Sequence, residues 1–242
     1  MKIVKLDAID STNDYLKGLL RKHNAEDFTM VTAELQTKGK GQRGSTWTSE
    51  KGKNIIMSLL VKDFVKGTYS LFDINIVASL AVYSALQSLK IPKLAIKWPN
   101  DIMSDNKKIG GILVENIFKG DNAIDSIVGI GLNVNQKAFA TLPQASSLSL
   151  ILNHSLDKDK LLLQIASSIE ETVKSWEENA EQFRETYIAV LFRKDMPTVF
   201  QISENSFFNG TIRGITCVGR LEIEDENGNL LDFDIKEVKM IF

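Results

Sequence analysis

The chain is poor in the residues that most often carry metal binding and nucleophilic catalysis. Its 242 residues include one cysteine, Cys217, and two histidines, His23 and His154. A single cysteine forms no internal disulfide, and this scarcity excludes a metal cluster of the Cys/His type. A serine or cysteine nucleophile needs a basic partner, yet the histidines lie in a predicted helix tail and a predicted loop without a nucleophile pattern around them. Any reaction of this chain is therefore expected to need no protein nucleophile.

Concentrated charge and long apolar runs are also lacking. The formal net charge is -2, and the basic residues are spread along the chain apart from one glycine-rich loop, so nucleic-acid binding is not expected. No apolar run approaches the ~20 residues of a membrane-spanning helix, and the opening "MKIVKLDAID" lacks the apolar core of a secretion signal. Together with the single cysteine, these absences predict a cytoplasmic protein with no nucleic-acid or membrane partner.

The order of predicted elements indicates two domains. Strand-like runs alternate with helical segments through the first part of the chain. Strands are predicted at 2–6, 28–34, 94–98, 108–115 and 124–134, and helices from 11, at 71–90 and at 156–193, while residues 55–61 form an apolar run. From Asp195 the chain changes to short β-like pieces with the hairpin signal Glu226-Asn-Gly-Asn229. We predict a first domain over residues 1–190 and a small β domain over residues 191–242.

A glycine-rich basic loop follows the second predicted strand. The stretch "TKGKGQRGSTW", residues 37–47, contains Gly39-Lys-Gly41-Gln-Arg-Gly44 and so matches the G-x-G-x-x-G pattern of dinucleotide-binding loops. That pattern requires a helix directly after the last glycine, and here a polar segment and an apolar run follow instead. The glycines still allow backbone N–H groups to approach an anion that Lys40 and Arg43 would neutralise. Composition alone leaves an anion-binding loop and a solvated surface loop as equal alternatives.

A second candidate stretch is "KWPNDIMSDNKKIGGILVE", residues 97–115. Asn100 and Asp101 stand at a predicted bend, where their oxygens could hold Mg²⁺ together with phosphates. Lys108 then enters a strand whose Gly110-Gly111 pair leaves room for a ligand, since paired glycines cost a strand stability and mark a close approach. The alternative is a plain hairpin with a tryptophan in the core, which explains the glycine pair poorly.

A third candidate stretch is "GIGLNVN", residues 129–135. Asn133 and Asn135 alternate with Leu132 and Val134, which is the pattern of a strand with two different faces. Asn133 is therefore expected to point from one face of the sheet toward a cleft.

Taken in order, these segments resemble biotin protein ligase. The motifs that carry the resemblance are Ser11-Thr12-Asn13, Gln36 with the glycine loop and Trp47, Lys97-Trp-Pro-Asn-Asp101, Lys108-Ile-Gly-Gly-Ile-Leu113 and Gly129-Ile-Gly-Leu-Asn133. They span residues 10–135, and the two lysine motifs at this spacing are highly specific. The resemblance implies an α+β fold: a mixed sheet like that of class II aminoacyl-tRNA synthetases, flanked by helices, with a small C-terminal SH3-like β-barrel.

The resemblance also implies the reaction and its partners. Biotin and ATP would form biotinyl-5'-adenylate and pyrophosphate with Mg²⁺, and a lysine of a biotin carboxyl carrier protein or domain would then accept the biotinyl group. Because the first motif begins at residue 11, no winged-helix DNA-binding domain is expected before it, and the chain should be an enzyme only, acting as a monomer or homodimer. The substrates bring their own nucleophiles, which agrees with the lack of one in the protein.

Residue roles follow from the same resemblance. Lys108 would neutralise carboxylate and phosphate oxygens, assisted by Lys40 and Arg43 of the loop, and Asp101 would be the metal ligand. The residues implied in binding biotin and nucleotide are Ser11, Thr12, Asn13, Gln36, Gly39, Gly41, Gln42, Trp47, Asn100, Gly111 and Asn133.

In one respect this chain departs from the resemblance. Family members commonly place arginines where this chain has Lys40, Gln42 and Ser45, and lysine does not reproduce the bidentate fork of arginine. Two alternative functions stay open at this point: a lipoate or octanoate protein ligase or transferase, which shares the fold, and a non-catalytic binding protein that uses its β domain to dock a partner.

Overall fold

A computed structural model describes residues 1–23, 25–119, 123–139 and 142–242, and describes Arg43 only in its backbone. Within these residues the chain forms four α-helices and twelve β-strands. The helices are α1 (Thr12–Arg21), α2 (Asp73–Gln87), α3 (Leu148–Leu152) and α4 (Lys158–Ala189). The strands are β1 (Ile3–Ile9), β2 (Met30–Gln36), β3 (Ile55–Val61), β4 (Leu94–Lys97), β5 (Asp101–Ser104), β6 (Lys107–Phe118), β7 (Ile124–Leu132), β8 (Pro197–Ser203), β9 (Ser206–Ile215), β10 (Leu221–Asp225), β11 (Leu230–Phe233) and β12 (Lys239–Ile241).

Seven strands form one mixed sheet in the order β1-β2-β3-β7-β6-β5-β4. β1 and β2 pair in parallel and all other neighbours are antiparallel. β3 lies inside the sheet because its run is apolar on both faces and every residue is buried. Leu59 packs on one face with α2 and α4, while Leu60 packs on the other with Leu16 of α1. The predicted mixed sheet flanked by helices is confirmed.

Local sequence signals explain where the helices begin. Ser11 caps α1, since its hydroxyl accepts a hydrogen bond from the Asp14 backbone N–H. Asp157 caps α4 in the same way through the Lys160 N–H. The helices predicted at 71–90 and 156–193 are present with ends a few residues shorter, and α2 is buried on nearly all sides because it lies between the sheet and α4. Within the described residues, no helix combines the length and apolar composition needed to cross a bilayer.

The segment around residue 100 differs from the prediction. The strands predicted at 94–98, 108–115 and 124–134 are present, but β5 lies between the first two. Asp101 is the first residue of β5 and pairs with Lys97 across a tight hairpin. The sequence pattern missed β5 because its four residues are shorter than a recognisable alternation and lie directly between two turns.

Five strands near the C-terminus form a second, antiparallel sheet in the order β11-β10-β9-β8-β12. β11 and β12 are its edges, so the predicted β unit is present as an open sheet and not as a closed barrel. Phe200, Ile212 and Ile223 of this sheet belong to the same hydrophobic core as α2 and α4. The Trp98 indole N–H also donates to the Gly219 carbonyl at 2.9 Å, which ties the β9–β10 turn to the β4–β5 hairpin.

Candidate active site

A cavity of about 750 Å³ lies between the two sheets. Its walls are the start of α1, the glycine loop, the β4–β5 hairpin, the middle of β6 and β7, and residues 235–240 beside β12. The residues predicted from sequence that line it are Ser11, Thr12, Asn13, Gln36, Lys40, Gly41, Gln42, Trp47, Asn100, Asp101, Lys108 and Gly111. Gly39 and Asn133 are outside this lining, and the side chain of Arg43 lies outside what the structure describes.

Part of the cavity lining belongs to a network of uncharged hydrogen-bonding groups. The Gln36 side-chain oxygen accepts from the Thr12 backbone N–H at 2.7 Å and from the Thr12 hydroxyl at 3.0 Å. The Ser58 hydroxyl lies within hydrogen-bonding distance of both Thr12 and Asn13. Thr12, Asn13 and Ser58 are buried, so their orientations are held by these bonds. The network can recognise a neutral polar group of a ligand.

Gly129 makes room for this network on the sheet. A Cβ atom at Gly129 would lie 2.5 Å from the Asn13 side-chain oxygen. The amide of Asn13 also donates to Glu115 at 2.7 Å, and Glu115 accepts from Lys17 at 2.6 Å. The position of Asn13 is therefore set by β6, β7 and α1 together.

The glycine loop folds as a small hairpin above the cavity. Trp47 donates its backbone N–H to the Gly39 carbonyl at 2.9 Å, and Gly41 donates to the Ser45 carbonyl at 2.7 Å. A short 3₁₀ turn over Gln42–Gly44 closes the tip. Cβ atoms would lie 2.2 Å from the Trp47 carbonyl oxygen at Gly39 and 2.4 Å from the Ser45 hydroxyl at Gly41. These two glycines thus allow the loop to pack on itself. The next element after the loop is β3 and not a helix, so the match to a dinucleotide-binding pattern is accidental.

Trp47 covers a pair of glycines on the sheet. Gly111 and Gly131 are cross-strand partners in β6 and β7. A Cβ atom at Gly131 would lie 2.4 Å from the Trp47 ring, and one at Gly111 would lie 3.3 Å from the Lys108 ammonium. Gly110 instead faces Leu132 and the Gly131 backbone. Of the glycine pair in the sequence, Gly111 therefore opens the cavity, and Gly110 permits close packing of strands.

Cationic residues also line the cavity: Lys97, Lys108 and Lys239. Lys108 lies 2.6 Å from the carboxylate of Asp101 and 5.9 Å from the Trp47 ring centre. Lys97 is half-buried, and burial lowers its pKa below the ordinary value; Asp101 opposes this shift, whereas the charges of Lys108 and Lys239 add to it. Lys97 thus lies within electrostatic range of two further ammonium groups and one carboxylate, an arrangement that favours a ligand with negative charge.

The side chains of two predicted asparagines form hydrogen bonds with backbone carbonyl groups. The Asn100 amide donates to the Ile112 carbonyl, and Ile112 N–H donates back to the Asn100 carbonyl at 3.0 Å. The Asn133 amide donates to the Ser146 carbonyl at 3.0 Å, outside the cavity lining. Both are buried. These bonds hold the hairpin tip and the segment after β7 in place beside the site.

Sequence reasoning missed several groups at this site. Ser58 had one available signal, a single hydroxyl in the apolar run "IIMSLLV". Asp14 and Glu115 had none, because their roles depend on contacts with distant residues. The wall formed by residues 235–240, including Lys239, also carried no signal, since it faces the cavity only after the second sheet packs on the first.

The described residues contain no group of three or more histidines, cysteines, aspartates or glutamates placed to hold a metal ion. Asp101 is the one carboxylate among the cavity-lining residues. Mg²⁺ is commonly held by one or two carboxylates and by substrate phosphates, so this donor set fits an ion that arrives with a nucleotide.

Comparison with known proteins agrees with the geometry. The chain is 34% identical over 136 residues to the bifunctional ligase/repressor BirA of Bacillus spizizenii, matching 56% of this chain and 41% of that protein. It is 35% identical over 127 residues to the biotin--[acetyl-CoA-carboxylase] ligase of Paracoccus denitrificans, matching 52% of this chain and 51% of the relative. The chain thus spans about half or less of these curated relatives.

The fold has a close structural counterpart over its whole length. The solved structure of the biotin protein ligase from Aquifex aeolicus in complex with biotin and ATP matches with a TM-score of 0.81 and 26% identity, covering 99% of this chain and 98% of that one. The family model described as the biotin/lipoate A/B protein ligase family matches residues 6–133, which include every motif around the cavity. The chain belongs to the biotin/lipoate A/B protein ligase family.

Proposed function

We propose that this chain is an ATP-dependent biotin protein ligase. The observation that carries the proposal is one cavity lined both by Thr12 and Asn13 of the neutral network and by the cationic residues Lys97 and Lys108. Biotin has a neutral polar ring system at one end and a carboxylate at the other, so the cavity offers a hydrogen-bonding or charged partner for each. The names of the relatives, which are biotin ligases, support the same substrate.

The reaction has two steps. A carboxylate oxygen of biotin attacks the α-phosphorus of ATP and displaces pyrophosphate, giving biotinyl-5'-adenylate. The ε-amine of a carrier-protein lysine then attacks the acyl carbon, AMP leaves, and the nitrogen loses a proton. Both nucleophiles come from substrates, so the protein contributes alignment and electrostatic stabilisation.

The cationic side chains of the cavity would supply that stabilisation. Lys108 neutralises negative charge on the carboxylate and α-phosphate as they approach, and Asp101 holds its ammonium group in place. Trp47 would provide an apolar surface beside the adenine, and Lys40 would approach the phosphates from the glycine loop. The sequence assigns the same role to Arg43, whose side chain lies outside what the structure describes. Asp101 would also be the protein ligand of Mg²⁺ bound to ATP, and the ion would neutralise phosphate oxygens.

The wider assignments are part of the same proposal. Residues 1–190 form the domain that binds biotin and ATP, and residues 191–242 form the C-terminal β domain. The protein partner is a biotin carboxyl carrier protein or domain of a biotin-dependent carboxylase, and the compartment is the cytoplasm. No nucleic acid or membrane takes part in the reaction.

A transfer assay tests the proposal. Purified protein is incubated with ATP, Mg²⁺, biotin and a carrier domain, and mass spectrometry measures the mass added to the carrier lysine. Reactions without ATP, without biotin, or with the carrier lysine changed to arginine serve as controls. Parallel reactions with lipoate and octanoate separate the biotin ligase from the acyl ligases of the same family. Absence of both pyrophosphate release and carrier modification would favour a non-catalytic binding protein.

A further inference from the structure

One ion pair at the cavity has no role in the scheme above. The Lys40 ammonium lies 2.6 Å from the carboxylate of Asp14 in α1. Burial alone would raise the pKa of Asp14, but the hydrogen bond and charge of Lys40, with a contribution from Lys17, lower this pKa below its ordinary value. The same bond raises the pKa of Lys40. The pair therefore stays ionised across the neutral pH range.

Asp14 connects the glycine loop to the polar network. It lies in the first turn of α1, directly after Thr12 and Asn13. Lys17 approaches Asp14 at 3.5 Å and also bonds to Glu115, which in turn accepts from the Asn13 amide. A continuous series of polar contacts thus joins Lys40, above the cavity, to Asn13, inside it.

Lys40 is one of two cationic residues in the loop segment from Lys40 to Ser45, the other being Arg43. Gln42 and Ser45 carry no charge, and Ser45 uses its hydroxyl to donate to the Gln42 carbonyl at 2.9 Å. The preceding lysine, Lys38, pairs with Asp10 and is not part of the cavity lining. An unrestrained lysine side chain has a large rotamer entropy to lose when it binds an anion. A fixed partner lowers that cost, and an ammonium has three donors, so one bond to a carboxylate leaves donors for a ligand.

We propose that Asp14 is a positioning residue that holds Lys40, and with it the glycine loop, over the cavity so that the acyl-adenylate is retained. The inference rests on the proposed function, because it concerns retention of the intermediate formed there. Asp14 does not contact the reacting atoms in this scheme; it acts through Lys40. The pair is partly exposed, so its contribution to retention is modest.

The test compares two carboxylates that pair with loop lysines. Asp14→Asn removes the partner of Lys40, and Asp10→Asn, the matched control, removes the exposed partner of Lys38. Biotinyl-adenylate is formed with labelled ATP, excess unlabelled ATP is added, and release of the labelled adenylate is followed in time. We expect Asp14→Asn to speed release up to about fivefold, as for loss of a partly exposed ion pair, while Asp10→Asn releases at the parent rate. Asp14→Glu should restore slow release.

A double-substitution cycle tests whether Asp14 acts through Lys40. In a Lys40→Gln background, Asp14→Asn should not change the release rate further, since the partner is already lost. Three results would each overturn the inference. Asp14→Asn could release the adenylate at the parent rate, it could release the adenylate more slowly, or it could have the same effect in both backgrounds. If the parent protein forms no biotinyl-adenylate at all, the proposed function fails instead, and the two failures are thereby distinguished.

Discussion

Lys108 and Asp101 form an ion pair of 2.6 Å between neighbouring strands of the mixed sheet. β5 supplies the carboxylate and β6 the ammonium, and both face the cavity between the two sheets. A cation held in this way needs little reorganisation when negative charge develops beside it, which is the condition for electrostatic catalysis.

Replacing Lys108 with alanine should lower the rate of adenylate formation by orders of magnitude and leave the fold intact, because it removes the cation from the developing charge. Single-turnover kinetics and circular dichroism measure the two effects. Lys107→Ala is the control, since Lys107 is exposed and donates to the Pro143 carbonyl away from the cavity. A Lys108→Ala rate within about threefold of the parent, or ~0.7 kcal/mol, would contradict the role.

Gly131→Ala should weaken ATP binding about tenfold or more, since a Cβ atom 2.4 Å from the Trp47 ring forces the indole away from the sheet. Isothermal titration with a non-hydrolysable ATP analogue measures the change. Gly18→Ala is the control: nothing lies within 4 Å of its Cβ position in α1, and alanine there should raise stability by about 0.5–1 kcal/mol. An unchanged affinity of Gly131→Ala for the nucleotide would mean that Trp47 does not contribute to binding the adenine.

Trp98→Phe should reduce both the free energy of unfolding and the affinity for ATP. The change removes the hydrogen bond from the Trp98 indole to Gly219, which holds the hairpin that carries Asp101 against the second sheet. Trp176→Phe is the control, because the indole N–H that this change removes has no hydrogen-bond partner among the described residues. The control is therefore expected to lose stability through lost packing but to keep the affinity of the parent for ATP. Equal ATP affinities in the two variants would mean that the hydrogen bond between Trp98 and Gly219 does not position the site.

Gln42→Arg should slow release of biotinyl-adenylate and reduce stray biotinylation of bystander lysines. A guanidinium at the loop tip would add charge-assisted hydrogen bonds to the phosphate, each typically worth about 1.5–3 kcal/mol. Affinity for biotin alone should change little, since the new contacts are on the phosphate side. Pulse-chase release measured in parent and variant checks the effect, and equal release rates would mean that Lys40 and the rest of the loop already hold the intermediate.

Much of the architecture could be predicted from patterns within short stretches of the sequence. The strand predicted at 108–115 lies within β6, and the one predicted at 124–134 corresponds to β7. Helices α2 and α4 followed from apolar spacing and their flanking turn residues. The short strand β5 and the short helix α3 were missed, since four or five residues carry too little periodicity to be recognised.

The sequence by itself determined the types and approximate positions of most longer elements and the motifs that surround the cavity, because hydrophobic periodicity and turn chemistry act between near neighbours in the chain. Only the tertiary structure decided that Lys108 meets Asp101, that Trp47 lies on Gly131, and that Asp14 holds Lys40. Each of these contacts depends on strand register and on the packing of loops and sheets over one another. Such relationships are set by the whole core, and no short stretch of the chain contains them.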